Sequence, residues 1–337
     1  MDTKRGPVMI TNEQKIIIDY YENIGSAIKG HLVDIVDGPI VYNFIVKPGE
    51  NSKLNTIKKA ASEHNYMIAY SSKQINVQIP KETRQVVFLD KLLKTKEFKN
   101  TDAILPIIMG VDTFGEIMIK DLRKLPHMLV CGRTGCGISV FFNSLLKSLK
   151  SAVPATECKF IIIDPKGADY DIWKSDKHLM CPMVKLDAKA AVQKLQEVTE
   201  LIDERYQKLQ NNKVKNVEEY KKKTNKKDMP YIVVVIDEVA DLRTSAKKQT
   251  ELCVQYVAQK ARAVGIHLII GTQRPDALSG IIKANMPTRV SFQARTGVNS
   301  MQMLGEKGAE NLLPNADILF SDAGRIPVRI HTPYVEC

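Results

Sequence analysis

The sequence predicts an α/β protein in which a doubly wound, mainly parallel sheet is preceded by a smaller α+β domain. Three observations carry this expectation. Near-continuous apolar runs recur at His127–Cys131, Lys159–Ile163, Tyr231–Ile236, His267–Gly271 and Arg289–Ala294, as in parallel strands buried on both faces. Helical patterns alternate with them: Val192, Leu195, Val198, Ile202, Tyr206 and Leu209 mark one long amphipathic helix, and Leu252 through Ala263 mark another, stopped by Gly265. A glycine-rich turn follows the first strand and opens a helical pattern from Phe141 to Leu149. In such a sheet the ligand sits at the carboxyl ends of the strands.

The chain has 337 residues, which suggests two domains, expected at 1–124 and 125–337. In the first, Asn12 to Ile28 is amphipathic, and strand-like runs surround the turn Asp37-Gly38-Pro39 and end at Pro48-Gly49. Leu54, Ile57, Ala60 and Ala61 recur at helical spacing. Alternating segments follow at Gln74–Ile79 and Gln85–Leu89. Leu105–Val111 and Glu116–Ile119 flank Asp112–Gly115 as a hairpin. No catalytic cluster is visible there.

The 49 Lys and Arg against 38 Asp and Glu give a net charge of +11, which favours a polyanionic partner. Much of the excess sits in one Lys-rich stretch, 211–227, expected as an exposed loop. The six cysteines include no C-x-x-C pair and have no histidines at metal spacing, which suits free thiols in a reducing cytosol. No apolar segment reaches the roughly 18 residues of a membrane span, and the start, MDTKRGPVM, lacks the core of a signal peptide. A cytoplasmic protein is expected.

The chemistry concentrates in the glycine-rich turn. Gly132-Arg133-Thr134-Gly135-Cys136-Gly137-Ile138-Ser139, with Val140 following, matches the phosphate-binding pattern G-x-x-x-x-G-K-[ST] except that Ile138 replaces the lysine. Backbone N–H groups and the helix start would cradle the phosphates of ATP, and Ser139 would hold Mg2+. About a hundred residues on, the apolar run Ile232–Ile236 ends in Asp237-Glu238. Asp237 would organise the magnesium shell and Glu238 would polarise the attacking water. Gly271-Thr-Gln-Arg-Pro275 closes the next strand and places Gln273 where the γ-phosphate or the water is sensed.

Longer strings narrow the assignment. Gln259-KARAVGIHLIIGTQR-Pro275, Gly280-IIKANMPTRVSF-Gln293, Leu304-GEKGAENLLPNADI-Leu319, Ile163-Asp-Pro-Lys166 and Tyr231-IVVVIDEVAD-Leu242 resemble the motor domain of the FtsK/SpoIIIE family. The first half is similar to the family's α subdomain at Gly38-PIVYNFIVKP-Gly49, Val77-QIPKETRQVVF-Leu89 and Leu122-RKLPHMLVC-Gly132. The resemblance implies a RecA-like P-loop NTPase working as a homo-oligomeric, hexameric ring that pumps double-stranded DNA, in chromosome segregation during cell division or in conjugative transfer. It also implies an arginine finger reaching a neighbour's nucleotide, Arg262 by position, and DNA contacts from Arg274, Lys283 and Arg295. In the Ala294–Gln302 segment, Gly297 and Met301 stand where the family carries further basic residues. The family's winged-helix subdomain and its amino-terminal membrane anchor find no counterpart here, so any membrane contact runs through segments outside this chain, at the cytoplasmic face.

Losing a unit charge about 4 Å from phosphate forfeits roughly 4 kcal/mol at an effective dielectric near 20, so weak nucleotide binding with impaired hydrolysis is expected. Arg133, which lies within the loop and would have to curl back over it, and Lys166 are the cations considered as substitutes from elsewhere. Asp237, Glu238, Gln273 and Arg262 all stand, which points to one isolated change, engineered or recent, rather than to decay. The alternatives are a secretion ATPase of the type VII kind that moves protein cargo, and a non-hydrolysing ring subunit.

Overall fold

The computed structural model describes residues 12–50, 52–64, 66–70, 74–125, 127–167 and 169–336. The chain divides into two compact units, Met1–Gln85 and Val86–Cys337.

In the first unit α1 (Asn12–Tyr20) runs through a π-helical turn, Tyr21–Gly25, into α2 (Ser26–Ile28). Then follow β1 (His31–Asp37), β2 (Val41–Lys47), α3 (Leu54–Glu63), β3 (Met67–Tyr70) and β4 (Ile75–Pro80). The strands form an antiparallel sheet in the order β1-β2-β4-β3. Its covered face packs Phe44 and Val77 on Tyr20, Ile24, Ile28 and Ile57 of the helices, and Tyr20 stacks on Phe44 with ring centroids 4.7 Å apart.

The second unit opens with α4 (Leu89–Leu92) and α5 (Lys96–Lys99), the hairpin β5 (Pro106–Asp112) and β6 (Ile117–Asp121), then β7 (Met128–Cys131), α6 (Ile138–Ala152), β8 (Cys158–Asp164), β9 (Val184–Lys185) and α7 (Ala188–Asn211). It continues with α8 (Val217–Thr224), β10 (Tyr231–Ile236), α9 (Val239–Lys260), β11 (Ile266–Thr272), α10 (Gly280–Asn285), β12 (Thr288–Ser291), α11 (Gly297–Leu304), β13 (Asp317–Ser321) and β14 (Val328–His331).

These strands make one ten-stranded sheet, β6-β5-β14-β13-β12-β7-β11-β10-β8-β9. From β12 to β9 every pairing is parallel. From β12 through β13, β14 and β5 to β6 every pairing is antiparallel. The sheet is therefore mixed, with the expected parallel strands at its core and an antiparallel wing beside them. Buried aliphatic side chains of β7, β8, β10 and β11 pack against Phe141, Leu145 and Leu149 of α6 and against Leu195, Val198 and Ile202 of α7. The α7 helix starts where the Asp187 carboxylate accepts from the Lys189 and Ala190 amides at 2.9 and 3.0 Å.

Three expectations differ from the structure. The division falls after Gln85 rather than near 124, because the hairpin is a sheet edge of the second unit: Asp112 pairs with Ile330 and Val111 with His331. Gln85–Leu89 forms no alternating strand; Phe88 makes a single bridge to Tyr334, and α4 begins at Leu89. The Lys-rich stretch is not simply a loop, since it holds α8, capped by the Asn216 side chain and anchored by buried Val217 and Tyr220.

Candidate nucleotide-binding site

The loop Gly132–Ile138 leaves the end of β7, between β12 and β11, and enters α6. Its glycines have specific causes. A Cβ on Gly132 would meet Cys136 Sγ at 2.4 Å and Phe292 Cβ at 2.6 Å. Gly137 caps α6 with φ of 106°, a conformation that disfavours side chains. Cys136 turns into the core, while Arg133, Thr134 and Gly135 are exposed. The amides of Thr134, Gly135 and Gly137 carry no hydrogen bond to the rest of the described chain, which leaves the donors an anion cradle requires.

Ile138 is 6% exposed and joins the main apolar core. Its neighbour Ser139 faces the carboxylates: Oγ donates to Asp169 Oδ2 at 2.8 Å and lies 3.3 Å from Asp237 Oδ1. The Tyr170 hydroxyl also donates to Asp237 Oδ1, at 3.1 Å. Burial pushes the Asp237 carboxyl up to about 6, while the Tyr170 hydrogen bond pulls the other way. Asn143, on α6, fixes the Asp169 segment by donating to its carbonyl at 3.0 Å, and Asn143 Oδ1 accepts from the Trp173 indole at 2.6 Å. Val140 is half-buried against Leu89, Phe98 and Val335.

Glu238 sits one residue on, raised above its ordinary carboxyl range by burial. Its Oε1 accepts from the Ala240 amide at 3.1 Å and the Thr272 hydroxyl at 2.8 Å, and its Oε2 from the Gln273 amide at 2.7 Å. Oε2 thus keeps one acceptor direction open. The Gln273 side chain accepts from Thr134 Oγ1 at 2.6 Å. One residue therefore ties the phosphate loop to Glu238.

The oxygens of Ser139, Asp237 and Asp169 suit a hard cation such as Mg2+. Among the described residues no cluster of three or more carboxylates, histidines or cysteines forms a metal cage.

Residues 89–277 match the FtsK/SpoIIIE family. The chain belongs to that family. It is 34% identical over 350 residues to the DNA translocase FtsK of Caulobacter vibrioides, covering 91% of this chain and 43% of the relative. It is 35% identical over 325 residues to the DNA translocase FtsK of Campylobacter jejuni, covering 91% and 34%. The chain thus spans less than half of these relatives' length. Among solved structures, the pCW3 conjugation coupling protein TcpA with ATPγS aligns at TM-score 0.66 and 22% identity over 96% of each chain. The cytoplasmic domain of the Thermomonospora curvata type VII secretion ATPase EccC aligns at TM-score 0.66 and 22% identity, over 74% of this chain and 32% of that one. These likenesses establish the α/β P-loop ATPase fold.

The other residues singled out in the sequence lie apart from the loop. Arg262 is exposed before β11, where its guanidinium donates to the Lys124 carbonyl at 3.3 Å. It borders a cavity of about 540 Å3 with Arg123, Glu218 and His267. Arg274 is exposed beyond the other end of β11, and Lys283 on α10 is half-buried with its ammonium on the Pro275 carbonyl at 3.3 Å. Arg295 is exposed after β12. Sequence reading missed Asp169, Asp164 and Tyr170, whose approach to Asp237 depends on β8 lying beside β10. It also missed Arg243 and Lys247, which share a second cavity of about 540 Å3 with Arg274. Among the described residues no helix is long and apolar enough to cross a membrane.

Proposed function

We propose that this chain is the motor of an ATP-dependent double-stranded DNA translocase working as a homo-oligomeric ring, with hydrolysis slowed by Ile138. The observation that carries the reading is the union of Ser139 and Asp237, 3.3 Å apart, with a free-amide loop on one side and a locked Glu238 on the other. The loop amides bind the phosphates. Ser139 and Asp237 would hold Mg2+, which supplies charge neutralisation at the phosphates when bound. Glu238 accepts a proton from the attacking water through the free direction of Oε2. Gln273 reports the state of the loop to Glu238, since its side chain holds Thr134 and its amide holds the carboxylate.

Arg262 supports the ring. It precedes the amino end of β11, and the nucleotide loop lies beside that strand's carboxyl end. Seven residues of strand rise about 3.3 Å each, so roughly 20 Å separates them. Arg262 cannot serve its own site and would reach the site of a neighbour in a head-to-tail ring. Arg274, Lys283 and Arg295 would grip DNA phosphates, in chromosome segregation or in conjugative transfer. The fold likeness does not separate DNA from protein cargo, because TcpA and EccC align at the same TM-score of 0.66. The FtsK relatives at 34% identity favour DNA.

The test is phosphate release with and without duplex DNA, together with gel-shift binding across a salt series. Binding that weakens steeply with salt and turnover stimulated by DNA in Ile138→Lys are expected. Absence of duplex binding at low salt would overturn the DNA assignment.

A further inference from the structure

Of the two cations considered as substitutes for the missing ammonium, only one is unengaged among the described residues. We propose that Lys166 is the phosphate-contacting cation of this nucleotide site, standing in for the charge that Ile138 does not bring. The inference rests on the nucleotide reading above and adds to it the residue that would replace the loop lysine.

Lys166 lies two residues beyond β8, whose end runs alongside that of β10. Ile163 pairs with Ile236, and the Asp237 amide donates to the Ile163 carbonyl at 3.1 Å. The turn Asp164-Pro165-Lys166-Gly167 therefore shares one lip of the sheet with Asp237 and Glu238. The turn is pinned, because Asp164 Oδ1 accepts from the Lys166 amide at 3.2 Å and the Gly167 amide at 2.9 Å. The side chain of Lys166 is exposed, and among the described residues its ammonium has no hydrogen-bond or ion-pair partner. Arg133 differs: its guanidinium donates to Gln293 Oε1 at 2.8 Å, toward the end of β12.

The charge at this lip also requires a cation. Asp164 and Asp169 act on Asp237 through space, Glu238 follows Asp237 in the chain, and Asp164 Oδ2 is buried with no hydrogen-bond partner among the described residues. Burial raises the carboxyls of both Asp237 and Glu238, and the Lys166 charge acts on each in the opposite sense. A polyanionic triphosphate entering such a cluster needs fixed positive charge beside Mg2+, and Lys166 is the free ammonium in place.

Binding of a fluorescent ATP analogue with Mg2+ to the intact chain tests this without depending on turnover. Lys166→Gln is expected to weaken binding about tenfold or more, and Arg133→Gln less than about threefold. Lys166→Gln should melt with the parent, because the side chain is exposed, and Lys166→Arg should retain binding. Adding Ile138→Lys to Lys166→Gln should recover the lost affinity. Parent-like binding by Lys166→Gln overturns the proposal, and so does a double variant as weak as the single one. A parent that binds no nucleotide also overturns it. In that case, binding by Ile138→Lys keeps the phosphate-loop reading alive, and its failure removes both.

Discussion

Restoring the ammonium at the phosphate loop is the most direct perturbation of this site. Ile138 is the first residue of α6 and 6% exposed, so Ile138→Lys exchanges a buried aliphatic group for a stem with a charged end. The stem can keep part of the apolar contact while its head extends toward the cradle. Loss of branched packing costs about 1 kcal/mol. Without nucleotide the variant should melt a few degrees below the parent. An ammonium about 4 Å from phosphate contributes roughly 4 kcal/mol at an effective dielectric near 20. Affinity should therefore rise by up to about a thousandfold. Turnover should rise more than affinity, because the lysine also meets charge that develops as the γ-phosphoryl group moves. Titration with a nonhydrolysable ATP analogue gives the first quantity, and phosphate release with and without duplex DNA gives the second. A parent that already hydrolyses ATP as fast as Ile138→Lys would refute the reasoning. So would a variant that binds no tighter and turns over no faster.

Three further outcomes follow from other parts of the unit. Burial holds the Asp237 carboxyl at about 6, above the unfolded value of about 3.9. The proton is thus bound more tightly in the folded chain, and the stability it contributes is complete below about pH 4 and lost as pH rises through about 6, some 3 kcal/mol in all. Melts of the parent and of Asp237→Asn without Mg2+ should diverge over that window, with the parent losing several degrees; parallel curves would contradict the buried environment. In the Ile138→Lys background, Arg262→Ala should leave nucleotide affinity of the isolated chain unchanged and lower turnover of the assembled form about a thousandfold or more; a loss confined to monomer affinity would remove the finger. Asp317→Ala breaks a buried ion pair with Arg329, whose Nη2 stands 2.7 Å from Asp317 Oδ2. It should cost about 3–5 kcal/mol, and a melt within a degree of the parent would show the pair to be dispensable.

Features set by residues a few positions apart were legible in the sequence. The parallel strands announced themselves because burial on both faces leaves unbroken Val and Ile, as in β10. The long helix α7 did so because its apolar residues fall on one side. The phosphate loop was legible because backbone donors and tight turns demand glycine at fixed spacing. Features set by distant pairing were hidden. Nothing near Pro106 says that β5 will lie against β14, so the hairpin read as part of the first domain. Nothing near Asp169 says that it will share the Ser139 hydroxyl with Asp237. The buried spacing of Val217 and Tyr220 was masked by the lysines around them.

The distribution of these misses bears on how the site works. Its sequence-legible half, the loop and the Asp237-Glu238 pair, is the part proposed to bind phosphate and activate water. Its hidden half comes from the last residue of β8 and the segment after it: Asp164, Asp169 and Tyr170. That segment sets the charge felt by Asp237, since Tyr170 donates to it and Asp164, Lys166 and Asp169 act on it through space. A change at Ile138 alters one charge at the loop and leaves this second layer intact. Ser139, Asp169 and Asp237 still meet, and Glu238 still holds its three donors. Among the described residues Asp164 Oδ2 is buried without a hydrogen-bond partner, and burial raises the Asp237 carboxyl; both weaken the empty fold and would be relieved by a bound cation. That relief is what the proposed uptake of a cation with nucleotide would provide, and it does not depend on the charge that Ile138 lacks.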